Sequence, residues 1–296
     1  IKNMKKITVA ASLLTLALLV PNVADAQYSS ASLNANGEST FDFTNSKDYV
    51  LIYVGDAEKE AMASKIKADY TVDDTKNFLY VWNNTYTGHE TSGINSFGQA
   101  EGWLDFTVNS VGWSGLGFAS SKGNGKDLSM LDDSYILHFA MKGTDASAHA
   151  SHAIGIGTAK FTIGTSAFVD NGASYKVLGD YPRDGEWYSF DIPFSVLKRL
   201  NTVDATGVFE TSSGGATAYV SNVFWTLSGG VTGTELQLDG IFFYRKSTTA
   251  INDVTTENSK KIKAIYDIQG RKVRNMNKTG LYIVKTNDGV KKVSVK

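Results

Sequence analysis

The chain has 296 residues, 42% of them hydrophobic and 20% charged. That is enough apolar material for one large or two small folded domains, and it argues against global disorder. There is no cysteine, which excludes disulfides, thiol nucleophiles, zinc–thiolate centres and cysteine-held iron–sulfur clusters. The net charge of −1 is unevenly spread: residues 27–250 hold 15 Lys+Arg against 25 Asp+Glu, and residues 251–296 hold 11 against 4. An acidic body lacks the clustered cations that phosphate binding needs, so nucleic acid is not an expected partner.

At the start, Lys2, Lys5 and Lys6 precede an apolar run from Ile7 to Val20. Pro21 then breaks the run, and Ala24 and Ala26 put small residues at the −3 and −1 positions of a cleavage site. This is the pattern of a secretory signal peptide over residues 1–26. The run of 14 residues falls short of the ~20 a spanning helix needs. No transmembrane anchor is therefore expected in the mature chain, and the expected location is secreted or on the outer cell surface.

Residues 27–37 are rich in Ser, Ala and Asn and read as flexible. Period-2 patterns then dominate. Phe41 and Phe43 alternate with Asp42 and Thr44, and Tyr49 to Val54 reads as a buried strand. Ala57 to Ala68 is the one extended helical pattern, with Ala57, Ala61, Met62 and Ile66 near one face. Further strands are expected at Phe78 to Trp82, Gly102 to Val108, Gly115 to Ala119, Tyr135 to Lys142, His152 to Gly157, Ala159 to Ile163 and Trp187 to Pro193. Thr206 to Phe209, Val220 to Leu227 and Glu235 to Tyr244 complete the set, with a short helix at Ser195 to Leu200. Many short strands separated by glycine turns predict an all-β fold, with a jelly-roll or β-sandwich body over residues 27–246. Residues 247–260 are polar and read as a linker, and residues 261–296 form a small three-strand β C-terminal domain.

The tail carries a specific pattern. It reads Tyr266-Asp267-Ile268-Gln269-Gly270-Arg271-Lys272-Val273, then Gly280-Leu281-Tyr282-Ile283-Val284, then a closing lysine-bearing strand after Asp288-Gly289. This resembles the C-terminal sorting domains of type IX secretion cargo in Bacteroidetes-type bacteria. In that reading Gly270 makes the first turn, Gly280 starts the central strand and Asp288-Gly289 closes a hairpin. The resemblance implies the secretion machinery as a partner of the tail.

Three stretches of the body resemble strands of β-sandwich carbohydrate-binding modules. They are Asp127 to Lys142, Glu186 to Phe194 and Glu235 to Tyr244. The resemblance implies a glycan ligand and one structural calcium near the first and last strands, with Asp239 matching the last-strand acid and Asp42 or Glu38 as partner.

Sugar binding calls for aromatic faces against the C–H side of a pyranose and planar polar groups for its hydroxyls. The richest patch runs from Tyr80 to Glu90 and offers Trp82, Asn83, Asn84, Tyr86 and His89. Alternation puts Tyr80 and Trp82 opposite Leu79 and Val81. It also puts Trp103 and Asp105 opposite Leu104 and Phe106, so that Trp103 faces outward. Trp113, in a glycine-rich loop, is a further candidate platform, whereas Trp187 and Trp225 read as packing residues. No close pair of strand carboxylates and no Gly-x-Ser-x-Gly elbow occurs, so no catalytic residues are expected. The reading is a non-catalytic glycan-binding protein. A surface adhesin or structural protein is the alternative, and a glycoside hydrolase with a lectin-like fold is a second.

Overall fold

The computed structural model describes residues 28–295 except 74, 90, 110–113, 122–123, 125, 145–150, 158, 201–210, 213–218, 221–222, 229–231, 248–261, 274–275, 277–279 and 287–288. Residues 1–26, read above as a signal peptide, Trp113, the strand expected at 206–209, residue 288 of the expected closing turn and nearly all of the expected linker fall outside the described residues.

The first strands are β1 (Ser29–Ala31), β2 (Ser46–Tyr53), β3 (Ile66–Asp69) and β4 (Asn77–Val81). Next come β5 (Tyr86–His89), β6 (Leu104–Val108), β7 (Ser114–Ser121) and β8 (Lys126–Asp127). β9 (Tyr135–Lys142), β10 (His152–Ile156), β11 (Ala159–Ile163) and β12 (Val169–Asp170) follow. β13 (Ala173–Ser174), β14 (Val177–Gly179), β15 (Tyr188–Pro193) and β16 (Thr211–Ser212) lead on to β17 (Tyr219–Val220), β18 (Trp225–Ser228) and β19 (Glu235–Lys246). The tail holds β20 (Ile262–Asp267), β21 (Lys272–Val273), β22 (Gly280–Thr286) and β23 (Gly289–Val295). The helices are α1 (Asp56–Met62) and α2 (Phe194–Leu200). The all-β expectation holds.

Two sheets face each other. The first runs β1-β15-β9-β19-β2-β3, with β6 and then β5 branching from β19. The second runs β14-β11-β10-β18-β7, with β4 and β17 also on β7. Between them lies the core. Leu137, Phe139, Phe190, Leu238 and Phe243 of the first sheet meet Leu116, Phe118, Ile154 and Phe161 of the second. The Phe139 and Phe190 rings stack at 5.0 Å.

β19 organises the first sheet. Its first half pairs with β6 and its second half with β2, while β9 runs along the other edge. A register shift falls between Asp239 and Phe242, where Gly240 has φ +58°. This bulge reverses the side-chain parity. Leu236 and Leu238 point into the core before it, and Ile241 and Phe243 after it. Glu235, Gln237 and Asp239 are thereby sent to the outer face, and so are Phe242 and Tyr244.

Half of that outer face is covered. Tyr49, Leu51, Met62, Phe97, Phe242 and Tyr244 form a second apolar layer there, with Phe41 and Phe43 packed on it. Phe41 and Phe43 are not in a strand as their alternation predicts; both sit in an irregular segment and close their rings on Phe97.

Helix α1 is shorter than expected. It passes through a 3-10 turn at Ala63–Lys65 into β3, so Ile66 serves a strand. Its N-cap, Gly55, has no side chain to cap with. Glu101 supplies the cap from a distant loop, accepting the Ala57 N–H at 2.9 Å. The segment read as flexible contributes β1, an edge strand antiparallel to β15. In the tail the sheet has four strands, β21-β20-β22-β23, because Lys272 and Val273 add a short edge strand to the three expected. Gly270 makes the first turn with φ +79°.

Candidate functional site

The uncovered half of the first sheet's outer face is polar with two tryptophans at its border. Register aligns His89 with Asp105, Asp105 with Gln237, and Gln237 with Lys142, across β5, β6, β19 and β9. Directly opposite residues share a face, so these four side chains form one row. A second row pairs Thr87 with Thr107 and Thr107 with Glu235. His89 Nε2 and Thr107 Oγ1 are 2.9 Å apart, and the Gln237 amide donates to Glu235 Oε2 at 3.2 Å.

Trp103 closes the row at one side. Its backbone is clamped by Thr91, whose Oγ1 accepts from Trp103 N at 2.7 Å and donates to Trp103 O at 2.7 Å. Gly102 makes that clamp possible: it has φ +75°, and a Cβ there would stand 2.6 Å from Thr91 Oγ1. The Lys142 ammonium sits 3.7 Å from the centre of the Trp103 ring and 5.0 Å from that of Trp187, a cation–π arrangement. The two indoles meet edge to face at 5.6 Å, and Trp187 is fixed by donating Nε1–H to Ile94 O at 3.2 Å.

Among the described residues, Trp103 Nε1, Asp105 Oδ1 and Gln237 Oε1 are buried on this face with no hydrogen-bond partner. One is a donor and two are acceptors. Burial and then the Glu235 charge push the Asp105 carboxyl up. Burial lowers Lys142, against the pull of Asp105, Glu186 and Glu235. A pocket of about 150 Å³, lined by Gly143, Thr144, His152, Tyr181, Arg183 and Glu235 among others, shares Glu235 with the face.

The residues singled out in the sequence are divided by the fold. His89 and Trp103 come together on this face. Trp82, 46% exposed, follows directly on β4 of the second sheet, and Tyr80, also exposed, lies within that strand, while Leu79 and Val81 pack on the core. Asn83 and Asn84 have φ +46° and +53°. They turn the chain from the second sheet to the first, a conformation asparagine tolerates better than most residues. Tyr86 is not a platform: it is 4% exposed and packs edge-on to Phe106 at 6.0 Å, because the first residue of β5 faces inward. Trp225 lies outside the main core, half-buried on the outer face of the second sheet with Ala153, Phe168, Tyr175 and Leu227.

Asp42 is exposed and accepts hydrogen bonds from the backbone and side chain of Asn45. Asp239 is buried and accepts from Ser96 N at 2.9 Å and Ser96 Oγ at 2.6 Å. Each carboxylate is thus engaged by its own neighbours. Among the described residues no three His, Asp or Glu side chains cluster as a metal centre.

A second cavity of about 430 Å³ lies over the covered half, lined by Phe41, Phe43, Phe97, Glu38 and Glu58 among others. Glu58 is 2% exposed; it accepts from the Asn95 amide at 3.2 Å and leaves Oε2 without a partner. Burial raises its carboxyl to about 7.

Glu235, Gln237 and Lys142 escaped the sequence reading. Their signal was the alternation of Leu236 and Leu238 with polar neighbours, which marks an outward polar stripe. Compared with known proteins, the chain matches no family model and no curated sequence.

Proposed function

We propose that the protein is a non-catalytic glycan-binding β-sandwich whose site is the row His89, Asp105, Gln237 and Lys142 bordered by Trp103 and Trp187. The observation that carries this reading is the trio of unpartnered buried atoms around Trp103. A buried polar atom without a partner costs about 1–3 kcal/mol. Sugar hydroxyls donate and accept at once, so a polyol that displaces the Lys142 ammonium from the Trp103 ring and reaches these atoms would satisfy an indole N–H, a carboxylate and an amide oxygen together. With Asp105, Glu186 and Glu235 around one lysine, the face disfavours anionic sugars, and a neutral glycan fits best.

The test is a glycan array on the protein with and without calcium, which also tests calcium at Asp42 and Asp239. Trp103→Ala is expected to weaken the strongest hit by on the order of 2 kcal/mol, about 30-fold, typical of a central aromatic anchor, with circular dichroism unchanged. Full retention of binding by that variant would overturn the assignment.

One observation favours a glycoside hydrolase instead. Asp105 faces Gln237, so Glu235 is its diagonal neighbour on the same face, and burial, helped by the Glu235 charge, raises the Asp105 carboxyl; two carboxyls sharing one face, one of them raised, are what a glycosidase uses. Release of reducing ends that Glu235→Gln abolishes would establish that activity.

Export through residues 1–26 and delivery to the cell surface by the tail belong to the same proposal, with a bacterium of Bacteroidetes type as the host. The support is sequence pattern alone. In a type IX-competent bacterium, deleting residues 261–296 should trap the protein in the periplasm.

A further inference from the structure

We infer that the outer face of the second sheet is a second platform for a neutral glycan, independent of the Trp103 face; the inference rests on the glycan-binding reading above. Register aligns Tyr80 with Gly117, Gly117 with Trp225, Trp225 with Gly155, and Gly155 with Lys160, in one row across β4, β7, β18, β10 and β11. Aromatic rings alternate with glycines along it.

Glycine weakens a strand interior and often marks a close approach. Gly117 and Gly155 have no positive φ, so the backbone does not demand glycine at either position. At Gly155 the demand comes from the ring above: a Cβ would stand 1.8 Å from Trp225 Cε2. Gly115, beside this row, also lacks a positive φ; a Cβ there would stand 2.8 Å from Leu227 Cδ2 and in ordinary contact, 3.5 Å, with Trp82 Cε3. Gly155 thus leaves the space above β10 to the Trp225 indole, and Gly115 leaves that above β7 to Leu227 and Trp82. Trp225 is anchored by donating Nε1–H to Gly157 O at 3.2 Å. Tyr80 and Trp82 stand 39% and 46% exposed with ring centres 6.4 Å apart.

Strands β4 and β18 are two strand spacings apart, ~9.6 Å, and the Trp225 ring leans on over Gly155 of β10, so the row spans a disaccharide or more. Gly117 puts no side chain between them. Beyond Trp225 the row ends in polar groups. Lys160 Nζ donates to Tyr175 OH at 3.2 Å, and Tyr175 OH donates to Asp170 Oδ2 at 2.8 Å. Rings spaced along one row with a hydroxyl, an ammonium and a carboxylate at one end suit a pyranose chain stacked along it. A protein interface also carries a polar rim, so self-association is the competing outcome that light scattering reads.

The experiment is isothermal titration of the whole protein with cellohexaose, xylohexaose, mannohexaose and chitohexaose, with light scattering alongside. Two sites per chain are expected for the hexaose that binds. The variant Tyr80→Ala/Trp82→Ala removes only exposed rings and should lower the stoichiometry to one. Trp103→Ala should do the same, and the triple variant should not bind. Trp225→Phe, which keeps a ring over Gly155, should weaken the second site without unfolding. A single site lost through Trp103→Ala alone would overturn this inference and leave the first reading standing. No binding of any hexaose would overturn both. A dimer that Tyr80→Ala/Trp82→Ala dissociates would reassign the face to self-association and overturn the inference.

Discussion

Glu58 places a carboxyl in an almost dry position beside Asp239 and Glu101, and burial raises it to about 7 from an ordinary 4.5. The folded protein therefore holds a proton that the unfolded chain releases. Stability from this group is fully present below about pH 4.5 and is lost as pH rises toward 7. His152 works in the opposite sense. Burial lowers it from 6.5 to about 3, so its contribution falls as pH drops below 6.5. The two slopes overlap in the wild type, and a variant separates them. Glu58→Gln keeps an acceptor for Asn95 and removes the ionisation. Its advantage over wild type should grow from nothing near pH 4.5 to on the order of 2 kcal/mol above pH 7, as measured by urea denaturation across that range. An advantage independent of pH would show that Glu58 is not neutral in the fold.

At the scale of elements, β19 sets the arrangement, because Gly240 changes which side chains reach the outer face. A Cβ at Gly240 would stand 2.6 Å from Phe97 Cε2, on a backbone already at φ +58°. Gly240→Val should cost about 1–3 kcal/mol through that overlap and strain, read as a lower urea midpoint. Glu101→Ala should cost about 1 kcal/mol by uncapping α1. The strands of the body were largely legible because Leu236 and Leu238 alternate with Glu235, Gln237 and Asp239, and Leu137, Phe139 and Met141 recur at every second position. The bulge was not, because nothing local distinguishes Gly240 from a turn glycine. The trans cap on α1 was equally hidden, since Gly55 and Glu101 are neighbours only in the fold. The site was half legible: alternation turned Trp103 and Asp105 outward, but the row that includes Gln237 and Lys142 depends on pairings between distant strands. Tyr86 misled because its aromatic and amide neighbours suggested a binding patch, whereas the chain turns through Asn83 and Asn84 and points it inward.

At the scale of the molecule, the two sheets face each other across one core, so their outer faces look in opposite directions. Facing sheets sit ~10 Å apart, and a stiff oligosaccharide lying on one face cannot bend round to the other. If both faces take sugar, each copy of the protein acts as a junction between two separate polymer strands. Its effect on a soluble polysaccharide would then be mechanical as well as chemical. Sub-stoichiometric protein should thicken the solution, excess protein should thin it again as every strand becomes singly decorated, and a variant keeping only one face should leave the viscosity where it began.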